Sequence, residues 1–400
     1  MQKSRNKAER KRNRVLFIAS QPFFQWRGSP IRLGFDVRAL RDNGYNVDFL
    51  TLPIGERQHI EGVRIIRAPN IFFAKDISIG PSFLKLLFDV VIFFMSLGMI
   101  ARRRYDVIHG VEDCGVIAWF AARLCGAKAI FEKHSDSKSY KKSVVMAAYA
   151  AVERFVMRHA DAVIGTGPGL VAQVESLNCN TPAYHISDIP SSLVEPTEEG
   201  VAKARSELDP EGDSIIATYV GSFAVYQGIE LLFNSIPVAV NKSDSIKFVI
   251  IGGTESEIKQ WSEWLGGQGC LDRVAFIGKR PPDVLPCYLR ASDILLSPRI
   301  AGVNTPLKLL DYLKVSRAIV ATDHEANRLI LDDTTAVMTK LEPEEFGESV
   351  ARLAADPELR ESIAANCRRL VDEKYNFNVF SKAIGRCYSE TLNKNANIRD

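Results

Sequence analysis

The sequence has no Cys-x-x-Cys pair, almost no net charge and no uninterrupted apolar run long enough to span a membrane, and each absence removes a class of protein. Its seven cysteines (Cys114, Cys125, Cys179, Cys270, Cys287, Cys367 and Cys387) stand singly. Neither a disulfide framework nor a zinc knuckle is expected, and they read as small buried residues in a reducing compartment. Lysine and arginine number 51 against 48 aspartates and glutamates, a formal net charge of +3. Much of that excess lies in Lys3, Arg5, Lys7, Arg10, Lys11, Arg12 and Arg14, so the body of the chain carries no nucleic-acid signal. This tail leads only into the strand-length run Val15 to Ala19; lacking the apolar core of a signal peptide, it implies a cytoplasmic protein. The first strand-to-helix loop reads Arg27-Gly28-Ser29-Pro30 in place of Gly-x-Gly-x-x-Gly, which argues against a nicotinamide cofactor.

One segment is unusually apolar. Phe83 to Ile100 reads FLKLLFDVVIFFMSLGMI and is followed by Arg102, Arg103 and Arg104. Lys85 and Asp89 interrupt it, and the uncharged remainder, Val90 to Ile100, falls well short of the roughly 20 residues a transmembrane helix needs. Two readings stay open: a core helix whose end happens to be basic, or a helix lying in a membrane interface and drawn there by anionic headgroups.

With 400 residues, 46% hydrophobic and 25% charged, two domains are expected rather than one core. Strand-like runs alternate with helical stretches in two series. RVLFIAS (14–20), NVDFLTL (46–52), RIIRAP (64–69), DVIHG (106–110), AKAIFEKH (127–134) and ADAVIGTG (160–167) make up the first. SIIATYVGS (214–222), KFVIIGG (247–253), RVAFIG (273–278), DILLSP (293–298) and AIVATD (318–323) make up the second. Such alternation implies parallel sheets with helical crossovers. The expected organisation is a basic tail (1–13), a Rossmann-like domain (14–185), a linker (186–199) and a second Rossmann-like domain (200–375). A last amphipathic helix (376–392) can cross back onto the first domain. A ligand is expected in the cleft between the two, outside the carboxyl ends of the strands.

The densest signal is SPRIAGVNTPLKLLDYLKVSRAIVATD, Ser297 to Asp323. A strand ends, an irregular loop with Gly302 and Asn304 follows, and Thr305 with Pro306 forms an N-cap and first-turn pair that should open a helix. The amino end of that helix suits a diphosphate, and Lys308 in its first turn adds charge. Asn304, Lys308 and Asp311 fall at i, i+4 and i+7 on one face, while Leu307, Leu310 and Leu313 pack inward. A cation for phosphate and a carboxylate for ribose hydroxyls form a donor-site layout; the bland alternative is an exposed salt-bridged pair.

This stretch resembles the signature of the family 4 retaining glycosyltransferases, with Asp311 at the second acidic position and Ala318 to Thr322 as the strand that follows. Val303 stands where the family usually has its first glutamate; a subset carries Thr-Pro-Leu-Lys instead, as here. The loop YVGSFAVYQGIELL (219–232) is similar to the family's diphosphate loop, with Gly221 and Gly228 at its turns. Ser222 or Ala224 and Gln227 stand at its usually cationic positions, so the missing charge is assigned to Lys308, with Arg299 second. Gly278, Lys279 and Arg280 resemble the base-side loop, and Gly28, with Arg27 and Arg32, the glycine-bearing first loop. His134 takes the place of the histidine beside the transferring sugar, and His109, Glu112 and Asp113 would line the acceptor side.

The resemblance implies a GT-B fold, two doubly wound parallel-sheet domains facing a central cleft, with the acceptor on the first and the nucleotide sugar on the second. It implies a retaining hexosyltransferase that moves sugar from a UDP- or GDP-linked donor to a glycan or lipid-linked acceptor, in the synthesis of surface polysaccharides or lipid-linked glycans. The catalytic set is His134, Lys308 and Asp311. No Asp-x-Asp occurs, so neither cofactor nor metal is expected and fixed dipoles and cations would stabilise the departing diphosphate. A nucleotide-sugar epimerase of the same fold and a catalytically silent scaffold are the competing readings.

Overall fold

The computed structural model describes residues 13–23, 28–55, 57–77, 82–136, 144–302 and 305–393. They form two compact units: one runs to Ser187 and resumes at Phe377, and the other is Asp188–Asn376.

The first unit holds strands β1 (Arg14–Ala19), β2 (Asn46–Thr51), β3 (Val63–Arg67), β4 (Val107–Val111), β5 (Lys128–Lys133), β6 (Ala162–Gly165) and β7 (Ala183–His185). They lie in the order β3-β2-β1-β4-β5-β6-β7, every pairing parallel. Parallel neighbours need crossovers, and α1 (Gly28–Asp42), α2 (Phe83–Arg102), α3 (Cys114–Cys125), α4 (Val144–His159) and α5 (Pro168–Glu175) supply most of them. Helices on both faces explain why the strands read as unbroken apolar runs: Val15 to Ala19 expose no surface at all.

The second unit begins with α6 (Glu198–Leu208) and alternates β8 (Ile215–Gly221), α7 (Ile229–Lys242), β9 (Ile246–Gly252), α8 (Glu255–Gly267), β10 (Val274–Phe276), α9 (Leu285–Ala291) and β11 (Ile294–Ser297). It continues through α10 (Leu307–Val315), β12 (Ala318–Thr322), α11 (Glu325–Arg328), β13 (Val337–Thr339), α12 (Pro343–Ala355) and α13 (Pro357–Lys374). This sheet is also parallel, in the order β10-β9-β8-β11-β12-β13. Two doubly wound parallel-sheet units are the fold class that the strand–helix alternation implied.

The last helix, α14 (Phe377–Asn393), belongs to the first unit and packs on α1. Phe35 of α1 meets Phe377 and Phe380, and the Asn43 amide donates to the Ser381 carbonyl at 2.9 Å. The segment read as a linker is in part seated on the second unit. The Ser191 N–H donates to Asp311 at 2.7 Å, and the Lys314 ammonium donates to the carbonyls of Ser192 and Val194.

Both sheets contain a topological switch point. Chain connections leave β1 and β4 in opposite directions along one sheet, and β8 and β11 likewise along the other. Beyond the carboxyl ends of such neighbours the loops part and leave a crevice for ligands.

Candidate active site

In the second unit the switch-point crevice is walled by the loops after β8 and β11. Gly228 joins them. It has φ +72°, and a Cβ there would lie 1.7 Å from the Pro298 carbonyl oxygen, so only glycine lets the loops touch. The Ile300 N–H donates to the Tyr226 carbonyl across the same contact at 3.2 Å. Behind them the Tyr312 hydroxyl accepts from the Val220 N–H at 3.2 Å and donates to the Leu296 carbonyl, which locks β8 to β11.

Lys308 enters this crevice from the first turn of α10. Its ammonium donates to the Gln227 side chain at 3.2 Å and sits 4.4 Å from the centre of the Tyr219 ring. Burial, reinforced by the nearby Arg299 charge, lowers it to about 7. Arg299 is itself buried, stacked over Tyr226 at 5.4 Å, with its Nε donating to the Ala301 carbonyl. Burial lowers Arg299 as well. Two cations are therefore packed between two tyrosines at one end of the sheet, an arrangement that a polyanion would relieve. Gly221 ends β8 beside them, and the Ser222 carbonyl is taken by the Tyr219 hydroxyl at 2.8 Å.

The start of α10 differs from the expected one. Thr305 was to cap a helix opening at Pro306; instead Pro306 is the capping residue, no side chain bonds the first turn, and α10 begins at Leu307. With φ −76° and ψ 97°, Pro306 is still extended, which moves the first helical residue one place on. Leu310 and Leu313 are buried as expected, joined by Leu309, while Leu307 is only half-buried. Asn304 lies outside the described residues.

Asp311 does not join Lys308. It accepts from the Ser191 N–H and lines a small pocket with Lys314, Pro282 and Leu289. Burial raises its carboxyl to about 6 against the opposing pull of the Ser191 hydrogen bonds and Lys314. The base-side residues lie apart again: Lys279 is exposed, and Arg280 is ion-paired with Glu207 of α6 and stacked over Tyr288 of α9 at 5.3 Å. Arg280 is thus already held by a carboxylate rather than presented free.

In the first unit Gly28, expected in the loop before the first helix, is instead the opening residue of α1, and Arg27 lies outside the described residues. Arg32, read as a charge for the donor phosphate, is instead buried and donates to Glu132 at 2.6 Å. Glu132 is the hub here. The His134 Nε2 lies 2.8 Å from one of its oxygens, and the His109 Nε2 lies 3.0 Å from the other. Burial alone would raise the Glu132 carboxyl, but Arg32 and the two histidines outweigh it and hold it well below the usual carboxylate range. An ionised carboxylate only accepts, which assigns N–H to the His134 Nε2, and on its other side His109 Nδ1 shares a hydrogen bond of 2.7 Å with the Tyr388 hydroxyl of α14.

His109 therefore does not line an acceptor surface. It is fully buried, and burial lowers its pKa against the pull of Glu132. Glu112, in the left-handed region at φ +51°, binds the His134 and Ser135 N–H groups, while Asp113 is ion-paired with Lys85 of α2. Strained backbone kept by such bonds is a recurrent mark of working sites. The sequence reading passed over Glu132 and the tyrosines Tyr219, Tyr226 and Tyr388; a charged residue inside an otherwise apolar strand was the one available signal for Glu132.

A family model described as "Glycosyl transferases group 1" matches residues 214–356, and one described as "Glycosyl transferase 4-like domain" matches residues 32–187. The chain belongs to the group 1 glycosyltransferases. Alpha-D-kanosaminyltransferase of Streptomyces kanamyceticus is 26% identical over 221 residues, 55% of this chain and 56% of that protein. The chain spans about half the length of the curated relatives it matches. Among solved structures of the GT-B fold, sucrose-phosphate synthase of Thermosynechococcus elongatus aligns with TM-score 0.74 at 18% identity, covering 95% of this chain and 99% of that one. HepE of Anabaena, solved with UDP-glucose, aligns with TM-score 0.69 at 12% identity, covering 94% and 99%.

Proposed function

We propose that this group 1 glycosyltransferase transfers a sugar with retention from a UDP- or GDP-linked donor to a hydroxyl acceptor, in surface polysaccharide or lipid-linked glycan synthesis, without a metal ion. The observation that carries this reading is the pair of desolvated cations, Lys308 and Arg299, at the β8–β11 switch point beside the amino end of α10. A nucleotide diphosphate would supply the missing anion, and HepE of Anabaena has been solved with UDP and with UDP-glucose.

In the reaction the acceptor hydroxyl attacks the anomeric carbon from the side on which the diphosphate departs. The carbon–oxygen bond to phosphate breaks, the glycosidic bond forms, and a phosphate oxygen takes the hydroxyl proton. Lys308, Arg299 and the α10 dipole stabilise the charge that collects on the leaving diphosphate. Gly221, Ser222 and Gly228 flank the nucleotide beside these cations, while Asp311 holds the Ser191 segment against α10. In the first unit His134, its Nε2 held by Glu132, is the side chain assigned to the reacting sugar. Seven free thiols support a cytoplasmic setting.

The test is a thermal-shift series with UDP, GDP, ADP and their sugar conjugates in EDTA. At least one diphosphate should raise Tm without metal, and incubation with that donor alone should leave its sugar unepimerised. Binding that requires magnesium, or an epimerised donor, would defeat the reading.

A further inference from the structure

We infer that the outer face of α2, with the turn at Asn70 to Ala74, docks on an anionic lipid bilayer without crossing it. The inference goes beyond the transferase reading and does not depend on it.

Among the described residues α2 is the one helix long and apolar enough to cross a bilayer, with mean hydropathy 2.2. Its inner face forbids crossing. Phe88 and Ile92 expose nothing and belong to the core of the first unit, and Lys85 on the same face is ion-paired with Asp113 beside β4. Inserting the whole helix would strip these from the sheet and leave a paired charge in hydrocarbon.

The outer face is a different surface. Only 22% of the apolar window is buried. Phe83, Leu86, Val90 and Phe94 are 76%, 59%, 49% and 65% exposed, at spacings of three, four and four that place them on one stripe. Phe73, in the preceding loop, extends the apolar surface at 88% exposure. It sits at φ +50°, a conformation that costs a bulky residue energy. Asn70 maintains it, accepting from the Ala74 N–H and donating to the Ala74 carbonyl, both at 2.9 Å. The adjacent Phe72 packs edge-on against Phe88, which seats this loop on α2. The chain therefore keeps a strained backbone that displays a phenylalanine to solvent beside a stripe of large apolar side chains. Exposed apolar surface on this scale marks an interaction site.

Charge selects the occupant. Arg102, Arg103 and Arg104 are all exposed where α2 ends. The stripe has no carboxylate with which a second copy could answer them, because Asp89, the only acidic residue of α2, is turned toward Ser20 and Asp113. An anionic headgroup layer over an acyl region offers both complements at once: the stripe and Phe73 enter the acyl boundary, and the arginines remain among the headgroups.

The test is co-sedimentation of the full chain with phosphatidylcholine vesicles, with and without phosphatidylglycerol. The wild type should pellet with the anionic vesicles, and added salt should weaken that binding. Phe73→Ser with Phe94→Ser should lower the partition coefficient about tenfold or more. Arg102→Glu with Arg104→Glu should lower it about a hundredfold or more, Arg103 being left in place because it lies 3.9 Å from Asp48. Both variants should keep the wild-type Tm and nucleotide response, since the substituted side chains are exposed. A wild type left in the supernatant overturns the proposal, as does a pair of variants that pellet unchanged. A dimer by light scattering that the phenylalanine substitutions split, with no vesicle binding, would assign the face to a second copy instead. Vesicle binding without any nucleotide response would sink the transferase reading alone.

Discussion

Replacing Lys308 by methionine should abolish the pH dependence of nucleotide-sugar binding. In the free protein burial and the Arg299 charge hold this ammonium at about 7. A diphosphate needs it protonated. Below about 7 the proton is already present and affinity should be flat; above that, the competent population shrinks and binding must draw a proton from solution. Affinity should fall about fivefold from pH 7 to 8 and about tenfold more from 8 to 9, each full unit being about 1.4 kcal/mol. The slope ends where the pKa of the liganded ammonium, raised by the bound anion, is reached. Both phosphates of a nucleotide sugar stay ionised through this window, so the slope belongs to the protein. Titration calorimetry at pH 8 in two buffers of different ionisation enthalpy should find close to one proton taken up per ligand, and almost none at pH 6. At pH 6.5 Lys308→Met should bind about a hundredfold more weakly, the scale of one charge pair at a few ångströms in a partly buried site. Nucleoside affinity should be unchanged. A flat wild-type profile, or the same slope in the variant, would remove Lys308 from the diphosphate site.

Two substitutions test the scaffolding of the sites. Tyr388→Phe leaves the His109 Nδ1 buried without its hydrogen-bond partner, at a cost of about 1–3 kcal/mol; Glu132→Ala, which removes the carboxylate shared by Arg32 and two histidines, should cost about 3–5 kcal/mol. Urea denaturation should rank them in that order, and equal values would deny Glu132 its central place. Gly228→Ala should force apart the loops after β8 and β11 and lower both Tm and nucleotide affinity, whereas Gly169→Ala, with nothing within 4 Å of the new Cβ, should be silent.

The units were legible because buried parallel strands announce themselves as apolar runs between helical stretches: β1, β8 and β12 fall within a residue or two of where the sequence placed them. The strands β7 and β13, three residues each, went unread: so short a run has no period to detect, and neither is fully buried as an apolar stretch. Lys308 was legible from its place in the first turn of a helix. Its companions were not, since Tyr219 reaches Lys308, and Tyr226 reaches Arg299, only where segments far apart in sequence meet, and no local pattern encodes that meeting. Arg32 was misjudged for a related reason. A charge in a glycine-bearing loop region looks free for phosphate until the fold brings Glu132, a hundred residues on, within 2.6 Å of it.

The return of α14 makes the second unit an insertion within the first. During synthesis the stretch from Asp188 to Asn376 has its whole sheet available before α14 emerges, while the earlier strands still await Tyr388 for His109 and the aromatic cover for Phe35. The half of the molecule made first is therefore the half completed last, and in the interval it must carry an unfinished surface.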